Sequence, residues 1–204
     1  MKHILLFILF TTKLFSQINY SVAAQIDSMA KKDQYYCAIV RRVENKELDS
    51  IKLSQAIELR QACFTDNYTL ANKLLLKYGY PDNSKVGNIP AFNYWLIVQH
   101  MDNNKEFQRQ VLDSMTPRLD KELISKQNWA YLYDRVKINY NDLQVYGTQT
   151  MLNADSTSYI IKPTANIIDL DKRRASVGLP PIAEYIALMN KRYFGNIKKT
   201  VVTE

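Results

Sequence analysis

The stretch Tyr131-Leu132-Tyr133-Asp134-Arg135-Val136-Lys137-Ile138 decides how this chain is classed. Its apolar and polar residues largely alternate, the period of a strand whose side chains face opposite ways in turn. Leu143-Gln144-Val145-Tyr146-Gly147-Thr148-Gln149 alternates as well, and Asn139-Tyr140-Asn141-Asp142 between them is turn-like. The three pieces read as a β-hairpin. Leu132, Val136 and Ile138 then share the core face, and Asp134 lies on it with them. In the second strand Leu143 and Val145 set that face, joined by Gly147 and Gln149. Loops of two or four residues give the same facing, because both keep parity. With four, Asp134 sits opposite Gly147, where a missing side chain leaves room beside a carboxylate. A buried carboxylate must be paired or shift its pKa upward, so Asp134 is expected to hold Arg173, Arg174 or His100. The other face shows Tyr133, Arg135, Gln144, Tyr146 and Thr148. It is either a ligand platform or a solvated face of ordinary cross-strand pairs.

Outward from the hairpin the chain reads as helix. Asn67 to Tyr78 carries Leu70, Ala71, Leu74, Leu75 and Tyr78 on one helical stripe, and Gly79 and Pro81 end it. Earlier helical patterns cover Val22 to Val43 and Ser50 to Phe64. Pro90 opens a segment, Ala91 to Met101, that is apolar nearly all round and so belongs in the interior. Phe107, Val111, Leu112 and Met115 mark an amphipathic helix, with a short helix at Leu119 to Ile124 after it. Beyond the hairpin, Ser158 to Ile161 adds a third strand. Ile167 to Val177 and a last segment from Pro181 are helical again. The fold class is therefore α+β: a mostly α-helical single domain with a small antiparallel hairpin or sheet in its C-terminal half.

Met1-Lys2-His3, the apolar run Ile4 to Phe10 and the small Ser16 before Gln17 read as a secretory signal peptide. That run is too short to span a bilayer, which takes roughly 20 apolar residues. The reading divides the chain into a signal peptide at 1–16, one globular domain at 17–195 and a frayed tail at 196–204. Within the domain, 17–66 is a helical N-terminal part and 67–195 the core. The exported chain would be periplasmic or secreted, with no transmembrane span; an uncleaved tether is the alternative, because Lys13 sits in the cleavage region. A hydrophobic fraction of 47% suits a globular domain. The formal charge of +7 falls to +5 without Lys2 and Lys13, a mildly basic surface that points to solubility rather than to nucleic acid. Cys37 and Cys63 either pair in an oxidising compartment or pack as small buried hydrophobes.

Few residues announce chemistry. His100, on the interior helix, suits a general base or a core histidine bonded to backbone. One histidine without cysteines or clustered acids is a poor metal site, so no metal and no cofactor are expected. Asp169 to Arg173 has the spacing of a helical ion pair; alternatively Arg173 or Arg174 turns inward onto Asp134 or an anion. No nucleophile elbow, P-loop, dinucleotide fingerprint or zinc-protease helix is present.

Five segments occur in order: Gly79-Tyr80-Pro81, Trp95 to Asp102 (WLIVQHMD), Ala130 to Val136 (AYLYDRV), Gln144 to Gln149 (QVYGTQ) and Asp171 to Pro181 (DKRRASVGLPP). Together they resemble a bacterial family known as domain of unknown function 6624. The resemblance covers about Lys73 to Tyr185 and leaves the helical N-terminal third outside. Tyr80, Met101 and Tyr133 depart mildly from its pattern. It implies that His100, Asp134, Arg135, Gln144, Tyr146, Thr148, Gln149, Asp171, Arg173 and Arg174 occupy motif positions, and it carries no activity. Two functional classes follow. The first is a binding protein of the cell envelope, taking a small molecule or an envelope component through Arg135, Gln144, Tyr146, Thr148, Gln149, Arg173 and Arg174. The second is a small hydrolase-like enzyme with His100 and Asp134 as acid/base groups.

Overall fold

Asn19 starts the first helix by accepting the Val22 amide on its side chain at 3.1 Å. The computed structural model describes residues 17–195, so the apolar run at the start of the chain lies outside the described residues. Helix α1 (Tyr20–Glu44) buries Val22, Ala23, Ile26, Met29, Ala30, Asp33 and Val40, a single stripe at helical spacing. Helix α2 (Leu53–Tyr78) packs along it. The sequence reading broke α2 near Thr65, but the helix is continuous. Thr65 and Thr69 return their hydroxyls to carbonyls four residues back, and Asn67 turns its amide onto the Cys63 sulfur at 3.8 Å, so none of these polar residues breaks it. Gly79, with φ +68°, ends α2 in the left-handed region.

A short helix α3 (Asn83–Val86) leads into α4 (Asn88–Gln99), which packs against α1 and α2. Tyr94, Ile97 and Val98 are fully buried, as the apolar composition of the segment requires. The Tyr94 hydroxyl donates to the Ala71 carbonyl of α2 at 2.9 Å. Helix α5 (Lys105–Met115) closes the main core with Phe107, Val111, Leu112 and Met115. A single 3-10 turn, Thr116–Arg118, follows it, and no helix forms at 119–124.

The largest correction concerns the stretch that classed the fold. Residues 131–138 are not a strand; they lie within helix α6 (Lys126–Asn139), which Ser125 caps through the Asn128 amide. Alternation survives in the burial, because Ala130, Leu132, Asp134 and Val136 are all interior. Positions two apart lie on opposite sides of a helix, so α6 is buried on both. Leu132 and Val136 face the main core, while Ala130 joins Val177 and Leu179 in a second, smaller cluster. Leu143, assigned above to a core face, is exposed.

Residues 144–149 form an irregular strap. The sheet follows it: β1 (Thr150–Leu152) pairs antiparallel with β2 (Tyr159–Ile161), Met151 opposite Ile160. Helices α7 (Leu170–Ser176) and α8 (Ile182–Phe194) complete the described chain. Asn190 of α8 clasps both backbone groups of Tyr159, fastening the sheet to the last helix. The fold is mostly helical with one small antiparallel sheet in the C-terminal half. Among the described residues no helix is long and apolar enough to cross a membrane.

Candidate functional site

Asp134 is completely buried, and its partners are not the expected cations. Its carboxylate accepts the backbone N–H of Val145 at 2.7 Å, of Tyr146 at 3.0 Å and of Thr148 at 2.9 Å. The Thr148 hydroxyl adds a fourth donor at 2.9 Å. A buried polar group needs hydrogen-bond partners, and these four donors supply them. Gly147 makes the wrap possible with φ +65°; a Cβ there would meet Ile182 Cδ1 at 3.2 Å.

The carbonyls of the strap point the other way, onto α7 and α8. Arg173 Nε donates to Val145 O at 2.9 Å, and Arg174 Nη1 to Tyr146 O at 2.6 Å. The Tyr185 hydroxyl takes Thr148 O at 3.0 Å. Gln144 spans the ends of the strap: its amide oxygen accepts the Gln149 N–H at 2.8 Å and its nitrogen donates to Gln149 O at 3.0 Å. Gln149 in turn donates to Tyr131 O of α6. Peptide units are thus clamped between one carboxylate and two guanidiniums. Arg174 is itself fully buried, and that burial pulls its pKa below the usual arginine value. Gln144, Thr148, Gln149, Arg173 and Arg174, which the sequence suggests as ligand contacts, turn hydrogen bonds onto this clamp, while Arg174 Nη2 is buried without a partner. Tyr146 gives it two backbone groups and packs its half-buried ring against Trp129 and Tyr133.

A different polar cluster gathers where α4 ends. Gln99 is buried, and Arg135 Nε of α6 donates to its oxygen at 3.0 Å. Arg135 Nη1 also reaches Asp102 at 2.8 Å. Asp102 accepts Asn139 at 2.9 Å and Gln108 at 3.1 Å. Burial works against the Asp102 charge, but Arg135 and the donated hydrogen bonds outweigh it and hold the carboxyl below its usual value. The Gln99 side-chain nitrogen is buried with no partner.

His100 follows directly as the α4 C-cap. Its Nδ1 lies 2.9 Å from one carboxylate oxygen of Asp33 and 3.1 Å from the other. Its ring stacks on Phe64 of α2, 5.0 Å between centroids. Cys37 stands one helical turn beyond Asp33, half-buried. Burial, reinforced by the Asp33 carboxylate, pushes its thiol up to about 11. Cys37 and Cys63 are both free thiols, so the disulfide left open above is not formed.

The fold therefore splits the sequence-derived set. Asp134, Gln144, Thr148, Gln149, Arg173 and Arg174 come together as a structural clamp. His100 and Arg135 meet other partners at the end of α4, and the acid beside His100 is Asp33 rather than Asp134. Asp33 escaped notice, and Cys37 entered only as a disulfide or packing residue. Their signal is a carboxylate lying on the apolar stripe of α1, with a cysteine four residues on along the same face.

A family model, described as a family of unknown function (DUF6624), matches residues 29–198. The match begins within α1, so it takes in the N-terminal helices that the motif resemblance left outside. No curated protein and no solved structure matches the chain.

Proposed function

The chain belongs to the DUF6624 family, and from that premise we propose that it is an exported binding protein of the cell envelope. Its recognition face is the polar cluster at the end of α4. The observation that carries this reading is the orphaned Gln99 amide nitrogen: a buried donor without a partner costs about 1–3 kcal/mol. Here Arg135 fixes the other end of the same side chain, so the donor is held rather than free to turn away. Around it stand half-exposed Arg135 and the solvent-facing Asp102, which Arg135 joins to Gln99. Such a set of fixed donors and acceptors suits a small polar ligand carrying a hydrogen-bond acceptor. Export rests on the basic start, the apolar run Ile4 to Phe10 and the small residue before Gln17, which together have the layout of a signal peptide.

Thermal-shift screening of the full chain against small polar metabolites and cell-wall fragments tests the binding half. Hits should raise the melting temperature, since a ligand that binds only the folded state stabilises it. The shift should vanish in Gln99→Leu and Arg135→Met. Shifts indifferent to both substitutions would move the site elsewhere. Fractionation with mass spectrometry of the N-terminus tests the export half, the expected product starting near Gln17 outside the cytoplasm. An intact Met1 in the soluble cytosolic fraction would refute export.

A further inference from the structure

We propose that Asp33, Cys37 and His100 form a three-ligand site for a divalent transition-metal ion of the zinc class. This site stands independently of the binding reading above. One donor atom from each residue, a carboxylate oxygen, a sulfur and an imidazole nitrogen, lies within 4.8 Å of the other two. Coordination needs about 2.0–2.3 Å to each donor; His100 Nδ1 already lies 2.9 Å from Asp33, and rotation of the half-buried Cys37 side chain brings in the third donor.

The mounting suits a metal. Asp33 and Cys37 are one turn apart on α1, and the C-cap of α4, which packs on that helix, delivers His100. Phe64 stacks on the imidazole and limits its rotation. Gln34 donates to Asp33 at 2.9 Å, the outer hydrogen bond that orients a ligating carboxylate. Asp33 is fully buried, and an ion would balance its charge. The cations opposing this are Arg60, whose guanidinium lies over Phe64, and Arg41. The Cys37 thiol gives up its proton to bind the ion, and the thiolate then adds its charge to that of Asp33.

Donor chemistry selects the ion. Thiolate and imidazole favour zinc, cobalt or copper over magnesium and calcium, which take oxygen donors. Three protein ligands leave a fourth position for water or an incoming anion, the arrangement of an open site rather than a closed structural one. The expectation of no metal rested on His100 being a single histidine without a cysteine or clustered acids; α1 brings a cysteine and an acid to it.

Cobalt(II) is the probe. Full-length protein, stripped with chelator and kept reduced, should bind one equivalent and develop a thiolate-to-cobalt charge-transfer absorption that zinc(II) abolishes by competition. Cys37→Ser should lose that absorption while keeping the wild-type far-ultraviolet circular dichroism. His100→Ala and Asp33→Asn should weaken cobalt binding by at least about tenfold, since even outer-shell changes cost about 10–100-fold. Cys63→Ser should leave the absorption intact. A folded wild-type chain without the absorption would overturn the proposal. So would an absorption that survives Cys37→Ser or depends on Cys63 alone.

Discussion

Asp134 concentrates on one carboxylate what other loops distribute over many side chains. Three amides and a hydroxyl converge on it in the absence of solvent. Asp134→Ala strands all four donors in the interior. The expected loss is about 3–5 kcal/mol, the scale of removing one partner of a buried charged interaction. That is a large share of the roughly 5–15 kcal/mol that holds a domain folded. Asp134→Asn should also destabilise, because its amide group points a donor at donors. Asp142, exposed and paired with Lys137, is the control and should lose far less on Asp142→Ala. Urea denaturation of the three variants decides the matter; equal small losses for Asp134→Ala and Asp142→Ala would mean that the strap holds without its carboxylate. Sequence reading placed Asp134 in the interior by giving it a strand face. The structure buries it for another reason, on the second buried side of a helix. No linear pattern shows that backbone amides supply its partners, because amides carry no residue identity.

Helix α6 explains why the sequence misled on the element while the fold class survived. A helix with one buried face repeats its apolar residues at three and four positions. One packed on both faces also buries residues two apart, and over a short window that copies the alternation of a strand. Ala130, Leu132, Asp134 and Val136 do this here. The cue against a strand was upstream: Ser125 is a helix cap, and Lys126 to Ile138 holds no glycine or proline. The helices with one buried stripe, α1 and α5, were legible from periodicity. The short strands were half legible, Ser158 to Ile161 giving β2 but not β1. At the α4 cluster, motif residues His100 and Arg135 were readable, whereas Asp33 and Cys37 depended on how α1 packs. A helix buried on both sides tolerates neither truncation nor enlargement. Leu132→Ala should cost about 2–5 kcal/mol as a cavity, and Ala130→Leu about 1–3 kcal/mol as overpacking in the second cluster. Chemical denaturation checks both. Were α6 buried on one face only, one of these two positions, on opposite sides of the helix, would accept its change at little cost.

The described molecule is held together in two different ways. From α1 to α6 a single apolar cluster runs from Val22 to Val136. The part after α6 shares little of it: its buried apolar cluster is Ala130, Val177 and Leu179, edged by Trp129, Tyr131 and Tyr146. What fastens α7, α8 and the sheet to the helical body is chiefly the clamped strap, with Arg174 as its deepest cation. Polar clamps of this kind bind tightly while every partner is present and fail together when one is removed. Stability should therefore divide at the strap, because proteins open in contiguous cooperative units rather than uniformly. Arg174→Met keeps a long apolar stem but removes the donors to Pro180 O and Tyr146 O. Native-state hydrogen exchange read by mass spectrometry should then show amides of 144–194 losing protection by at least about tenfold, equivalent to about 1.4 kcal/mol of local opening. Amides of α1, α2 and α4 should keep their wild-type rates under the same conditions. A uniform loss across all helices would show that the clamp and the apolar cluster open as one unit. Unchanged protection at 144–194 would show that the small cluster around Ala130, Val177 and Leu179 holds the C-terminal part unaided.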